Sequence, residues 1–252
     1  MNTTLVSCYY QINSKRPHRN YLIYINNLLE NINANIIIYT SSSLIQFFKK
    51  YSDVNPRIKI IIKEFEDIPL YVKYRNIWEN QYLKDQQKKT GRTWMCYVLW
   101  NSKINFLIES INLNPFGSDK FVWIDVGCVR TSNYKELVPK LIKESKISND
   151  KIDIVLLKDF INLNQKFFID EVHFSGAIFG GQINTIKKFA ELYYNKFDEY
   201  LSNNQFIGCD QQIISSIYLE NTDLFNKINN NNDNVIKNNY DPWFYLIAYY
   251  TI

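Results

Sequence analysis

The sequence predicts an α/β fold: a single Rossmann-like domain with a mostly parallel, mixed sheet flanked by helices. Three observations carry that prediction. Short runs rich in β-branched and aromatic residues recur along the chain. Segments with apolar residues at three- and four-residue spacing lie between them. The chain has 252 residues, 46% of them hydrophobic and 16% aromatic, enough for one large two-sided core.

The first strand is expected in LVSCYY (5–10), and NYLIYINNLLENI (20–32) has helical spacing. ANIIIYT (34–40) and RIKIIIKEF (57–65) read as the second and third strands. TWMCYVLWNSKINFLIESI (93–111) reads as a helix, the turn NPFGSD (114–119) follows it, and KFVWIDVG (120–127) is the next strand. DIVLLKD (153–159) is the fifth. Helices are expected over 184–201 and from Asp210 onward in DQQIISSIYLEN. The tract NNNND (229–233) reads as a tolerated surface loop in a chain of AT-rich composition. Neither an internal repeat nor a linker is visible, so one domain over 1–252 is expected.

The formal charge of +4 comes from 29 basic and 25 acidic residues with no long block of one sign. That pattern argues against a nucleic-acid partner and suits a phosphate-bearing small molecule. Four scattered cysteines, Cys8, Cys96, Cys128 and Cys209, form no CxxC pair and no zinc pattern, and read as buried thiols of a reducing compartment. No signal-peptide pattern opens the sequence and no stretch reaches eighteen apolar residues, so a soluble cytoplasmic protein without a transmembrane segment is expected.

Chemistry is expected in three places, because ligands of open α/β sheets bind outside the carboxyl ends of the strands. FVWIDVGCVR ends an apolar strand in Asp125, a carboxylate that either caps a turn or faces a cation on ligand phosphates, with Gly127 permitting close approach. EVHFSGAIFGG (171–181) concentrates three of the seven glycines. That suggests a backbone passing close to a ligand or turning sharply, with His173 either a core histidine or a hydroxyl-binding group beside Ser175 and Gly176. Asp210 opens a helix, where it either caps free amides or, with Gln211, orients a hydroxyl and shares its proton. Lys15, Arg16 and Lys103 are surface charges or cations for a leaving diphosphate.

The run WNSKINFLIESINLNPFGSDKFVWIDVGCVR resembles the bacterial HtrL/YibB family, and VSCYYQINSKRP, HFSGAIFGG and DQQ follow the same order. That family is similar to nucleotide-sugar glycosyltransferases of the GT-A fold, so the resemblance implies a GT-A-like domain. Residues 1–130 would be its nucleotide-sugar-binding half and 131–252 its acceptor half and C-terminal tail. The implied activity is transfer of a sugar from a nucleotide diphosphate donor to a glycan or glycosylated acceptor, such as a lipid-linked sugar or protein. Stereochemistry and oligomeric state stay open.

In such enzymes a D-x-D strand end holds manganese on the donor diphosphate. Asp125 matches the first aspartate and Gly127 stands at the second, so Mn²⁺ or Mg²⁺ is implied, with its shell completed by diphosphate and water. HFSGAIFGG resembles the segment of retaining galactosyltransferases of the blood-group type, and DQQ the D-Q pair that opens a helix near the transferred sugar. By this analogy Tyr9, Tyr10, Lys15, Arg16, Thr40, Lys103, Asp125 and Gly127 bind the donor. His173, Ser175, Gly176, Gly180 and Gly181 hold sugar or acceptor, and Asp210 and Gln211 act at the anomeric carbon. The C-terminal metal-binding histidine of glycogenin-like enzymes has no counterpart, since only His18 and His173 exist. A second reading is a binding module of the same fold without turnover, which Gly127 in place of an acid favours.

Overall fold

Strands that must bury both faces cannot alternate apolar with polar residues, and the central strands here do not. In a computed structural model, which describes residues 2–169, 171–229 and 240–252, the runs NIIIYT and KFVWI are buried at every position. The strands are β1 (Thr3–Tyr9), β2 (Asn35–Thr40), β3 (Ile58–Ile62), β4 (Lys120–Ile124), β5 (Ile152–Leu156), β6 (Phe174–Gln182) and β7 (Phe225–Asn229). They form one sheet in the order β3-β2-β1-β4-β6-β5-β7. Among the described residues β6 alone runs antiparallel to its neighbours; every other pairing is parallel. The single mixed-sheet α/β domain expected from the sequence is the one observed. Of the NNNND tract, residues 230–233 lie outside the described residues.

Among the described residues the helices are α1 (His18–Leu29), α2 (Ile45–Ser52), α3 (Pro69–Lys73), α4 (Trp78–Lys84), α5 (Trp94–Leu113), α6 (Ser132–Lys135), α7 (Ile183–Ser202), α8 (Asp210–Glu220) and α9 (Tyr245–Tyr249). Successive strand residues feed opposite cores, as the pleat requires. Ile36 and Ile38 join Leu28, Phe48 and Val122 on the face covered by α1, α2 and α9. Ile37 and Tyr39 join Phe106, Trp123, Phe189 and Tyr193 on the face covered by α5, α7 and α8. Ring pairs such as Tyr39 on Phe106, with centroids 4.8 Å apart, add packing beyond burial.

α5 is the central helix. It buries Asn101, Ser102, Lys103 and Ile104 in succession, so it is enclosed on more than one side. It stops where Asn114 adopts left-handed geometry (φ 33°) and its side-chain oxygen accepts the Ser118 N–H at 2.7 Å. The sharp turn delivers the chain directly into β4, whose C-terminal end therefore stands beside the middle of α5.

The glycine-rich segment differs from its expectation. It forms β6, a nine-residue strand between β4 and β5. A Cβ on Gly180 would lie 2.5 Å from the Phe121 carbonyl and 2.7 Å from Val122 Cα; on Gly181 it would lie 2.6 Å from the Lys151 carbonyl. At these two positions the close approach is to neighbouring backbone of the same domain, which is why side chains are missing there.

Candidate active site

The cleft follows from the strand order. β1 and β4 are parallel neighbours, so their C-terminal ends open on one side of the sheet. Between them and α5 lies an open cleft. Cys8, Tyr9 and Tyr10 line it from β1 and the residue after it, Trp100 and Lys103 from α5, and Trp123, Asp125, Gly127 and Arg130 from β4 and its following loop. Ser14, His18 and Tyr21 close the side toward α1.

At the floor one ammonium is shared by two acids. Lys103 Nζ lies 3.1 Å from Asp125 Oδ1 and 2.9 Å from Asp210 Oδ2, and it donates to the Gly176 carbonyl at 2.7 Å. Lys103 and Asp210 are buried, whereas the Asp125 side chain keeps 34% of its surface open to the cleft. Burial alone would favour the neutral amine, but the Asp125 and Asp210 carboxylates outweigh it and hold the Lys103 ammonium above the usual lysine range. For Asp210 burial wins: its carboxyl is pushed above the ordinary aspartate value although Lys103 pulls the other way.

Each charged group has a local cause for its place. Trp123 and Asp125 are two residues apart on extended chain and share a side, so the indole Nε1–H donates to Asp125 Oδ1 at 2.8 Å. Asn101 ties α5 to the segment before α8 by donating to the Gly208 carbonyl at 3.3 Å, while Tyr193 of α7 donates to the Asn101 oxygen at 2.7 Å. The capping of α8 is done by its neighbours: the Cys209 N–H donates to the Gln212 side chain at 3.2 Å, and the Cys209 side chain faces the helix N–H groups. Cys209 is the N-cap of α8 and Asp210 its first residue, whose Oδ1 accepts one free amide of the first turn, the Gln211 N–H at 3.1 Å, while Oδ2 turns toward Lys103.

Gly176 makes this geometry possible. A Cβ there would stand 2.5 Å from Asp210 Oδ2 and 2.8 Å from Oδ1, closer than any carbon tolerates. Asp210 reaches the lysine across the bare backbone of β6.

The residues expected at the site divide accordingly. Lys103, Asp125, Gly176 and Asp210 come together in one cluster, and Tyr9, Tyr10 and Gly127 line the same cleft. Gln211 stands beside them but is turned toward β6, donating to the Phe174 carbonyl at 2.9 Å. Thr40 is buried, with its hydroxyl on the Tyr9 carbonyl at 2.8 Å. Lys15 and Arg16 sit on the loop that borders the cleft but are not among its lining residues, and Lys15 is exposed.

His173 does not join the cluster. It stacks on Phe160 with centroids 4.0 Å apart, and its ring nitrogens lie 3.1 Å from the Lys158 carbonyl and 3.1 Å from Glu171. Ser175 donates to the Trp243 carbonyl at 2.6 Å, holding the C-terminal segment against β6. Gly180 and Gly181 lie near the C-terminal end of β6, opposite Val122 and Phe121 of β4. Sequence reasoning assigned no role to Trp123, Arg130, Asn101, Tyr21 or His18. Trp123 was accessible from its two-residue spacing to Asp125; the others depend on tertiary contacts. His18 stacks on Tyr9, and its Nδ1 is hydrogen-bonded to the Tyr9 hydroxyl.

A divalent cation of the kind implied by a D-x-D strand end takes about six or more oxygen ligands. Asp125 brings one carboxylate, and its Oδ1 already serves Trp123 and Lys103. Among the described residues no three of His, Cys, Asp and Glu are grouped to hold a metal ion. A cation at Asp125 would therefore take most of its shell from ligand oxygens and water.

Among the described residues no helix is long and apolar enough to cross a membrane. No curated protein matches the chain. Among solved structures, the chain is similar to mouse xyloside xylosyltransferase 1 in its apo crystal form, at 11% identity and a TM-score of 0.49, over 91% of this chain and 86% of that one. Residues 1–237 match the family described as "Bacterial protein of unknown function (HtrL_YibB)", and the chain belongs to that HtrL/YibB family.

Proposed function

We propose that the protein is a glycosyltransferase that moves a sugar from a nucleoside diphosphate donor to a glycan or glycosylated acceptor. One observation carries the reading: a buried ammonium, Lys103, is held by carboxylates from β4 and α8 at the floor of a cleft on the C-terminal side of the sheet. Sugar transfer from such a donor leaves a diphosphate, and a fixed cation at the point where that charge develops lowers the barrier. The likeness of the family's motifs to GT-A enzymes supports the same class.

In this reading residues 1–130 form the donor half and 131–252 the acceptor half. Tyr9 and Tyr10 wall the nucleoside, with Thr40 steadying the Tyr9 backbone and Lys15 and Arg16 available on the bordering loop. Asp125 and Gly127 face the sugar-diphosphate linkage. Asp210 is a positioning residue: buried behind Lys103, it holds the ammonium in place and ionised, while Gln211 anchors the start of α8 to β6.

The test is a thermal-shift panel of nucleoside diphosphate sugars, followed by release of nucleoside diphosphate from the donor that binds. A donor at a hundred times its Kd adds about 2.7 kcal/mol of apparent stability. Asp210→Asn is expected to lower kcat by about 100-fold or more with little change in donor KM, the split expected when transition-state stabilisation is lost. Equal kcat in that variant would remove Asp210 from the mechanism. A donor that stabilises the chain but is never turned over would identify a binding module of the same fold.

A further inference from the structure

The end of β4 departs from a metal-holding strand end in a way that the surrounding residues explain. Where a second carboxylate would stand there is Gly127, and a Cβ at that position would lie 3.1 and 3.3 Å from two ring carbons of Tyr21, in the wall of the cleft. An acid there would crowd that ring.

A cation stands close by. Arg130 lines the same cleft, and its Nε donates to the Gly127 carbonyl at 2.8 Å, which ties the guanidinium to the residue that would otherwise be the second metal ligand. The guanidinium is further held over the ring of Phe244, 4.5 Å from its centroid, and 5.7 Å from that of Tyr24. Lys103 stands on the other side of Asp125, 3.1 Å from it. Arg130 and Lys103 carry two positive charges, and Asp125 and Asp210 two negative ones. With glycine at 127 the four charges sum to zero, whereas a further acid would leave the cluster net negative.

We infer that this cleft takes the diphosphate of a nucleoside diphosphate on a side-chain cation, Arg130, with the buried charge of Lys103 behind it, and does so without a divalent metal. The inference deepens the glycosyltransferase reading and rests on it. Arg130 brings a planar fork whose geometry matches phosphate oxygens, and Lys103 a buried point charge. Both are held in place before the ligand arrives, so little ordering cost is paid on binding.

The test titrates the full chain calorimetrically with UDP and with GDP, each in EDTA and in Mn²⁺. At least one diphosphate is expected to bind in EDTA within about threefold of its affinity in Mn²⁺. Arg130→Gln is expected to weaken that binding at least tenfold and Arg130→Lys to recover part of the loss, since a lysine keeps the charge but not the fork. Binding that appears only with Mn²⁺, or tightens more than tenfold with it, would overturn the inference and leave the glycosyltransferase reading standing. Wild-type affinity in folded Arg130→Gln would overturn the part given to Arg130. Binding of neither diphosphate in either buffer would overturn the inference together with the reading beneath it. The comparison of EDTA with Mn²⁺ needs no variant, so a misfolded substitution cannot mask the answer.

Discussion

Replacing Lys103 by methionine removes the one cation shared by Asp125 and Asp210 while keeping most of the side-chain volume. The two carboxylates are affected unequally. Asp210 is buried and its Oδ2 has Lys103 as its ion partner at 2.9 Å, so breaking this pair strands a charge in the interior. Such losses cost about 3 to 5 kcal/mol. Asp125 keeps 34% of its side-chain surface and the Trp123 indole, so its share is that of a screened pair, about 1 kcal/mol or less. For a chain of this size the sum corresponds to a fall in Tm of about 6 to 24 °C.

The decisive assay is a double-mutant cycle by urea denaturation. Lys103→Met with Asp210→Asn should be more stable than Lys103→Met alone by about 2 kcal/mol or more, because the neutral amide no longer needs a cation. Asp125→Asn in the Lys103→Met background should recover less. If both double variants are as unstable as Lys103→Met, the destabilisation comes from packing around α5 and the charge argument fails.

Two further outcomes follow from the same geometry. Gly176→Ala places a methyl 2.5 Å from Asp210 Oδ2, so the Asp210 carboxylate must swing away from Lys103 or the backbone must shift; a cost of about 1 to 3 kcal/mol is expected in denaturant midpoints, and an unchanged midpoint would contradict the close approach. The Asp210 carboxyl is raised by burial, against the pull of Lys103 and with Asp125 adding to the rise. The folded protein therefore binds more protons than the unfolded chain over that range, and the contribution is fully present below the unfolded value and lost as pH rises through the folded one. Denaturation of wild type and Asp210→Asn from about pH 3.5 upward should show wild type losing stability relative to the variant; the opposite slope would mean a depressed carboxyl.

Much of the fold is written locally. β-branched runs mark β1 to β5, three- and four-residue spacing marks α5 and α7, and NPFGSD marks the turn between α5 and β4, because each signal is set by neighbours within one or two turns of chain. Lys103, Asp125 and Asp210 were likewise legible as charges at strand and helix ends. β6 was harder to read, since FSGAIFGGQ has the composition of a turn and becomes a strand only when β4 and β5 close on either side of its bare backbone.

What only the tertiary structure decided is which of those charges meet. The sheet order sets β4 between β1 and β6, out of chain sequence, and Asn101 and Tyr193 fix α5 against α7 and the segment before α8. Those long-range pairings bring Asp210 to Lys103 across Gly176, and send His173 to an aromatic stack and Ser175 to the Trp243 carbonyl instead. Local pattern marks most of the elements and the charged residues at their ends. Their convergence depended on contacts between residues far apart in the chain, whose energies come from burial and shared counter-charge that no local pattern encodes.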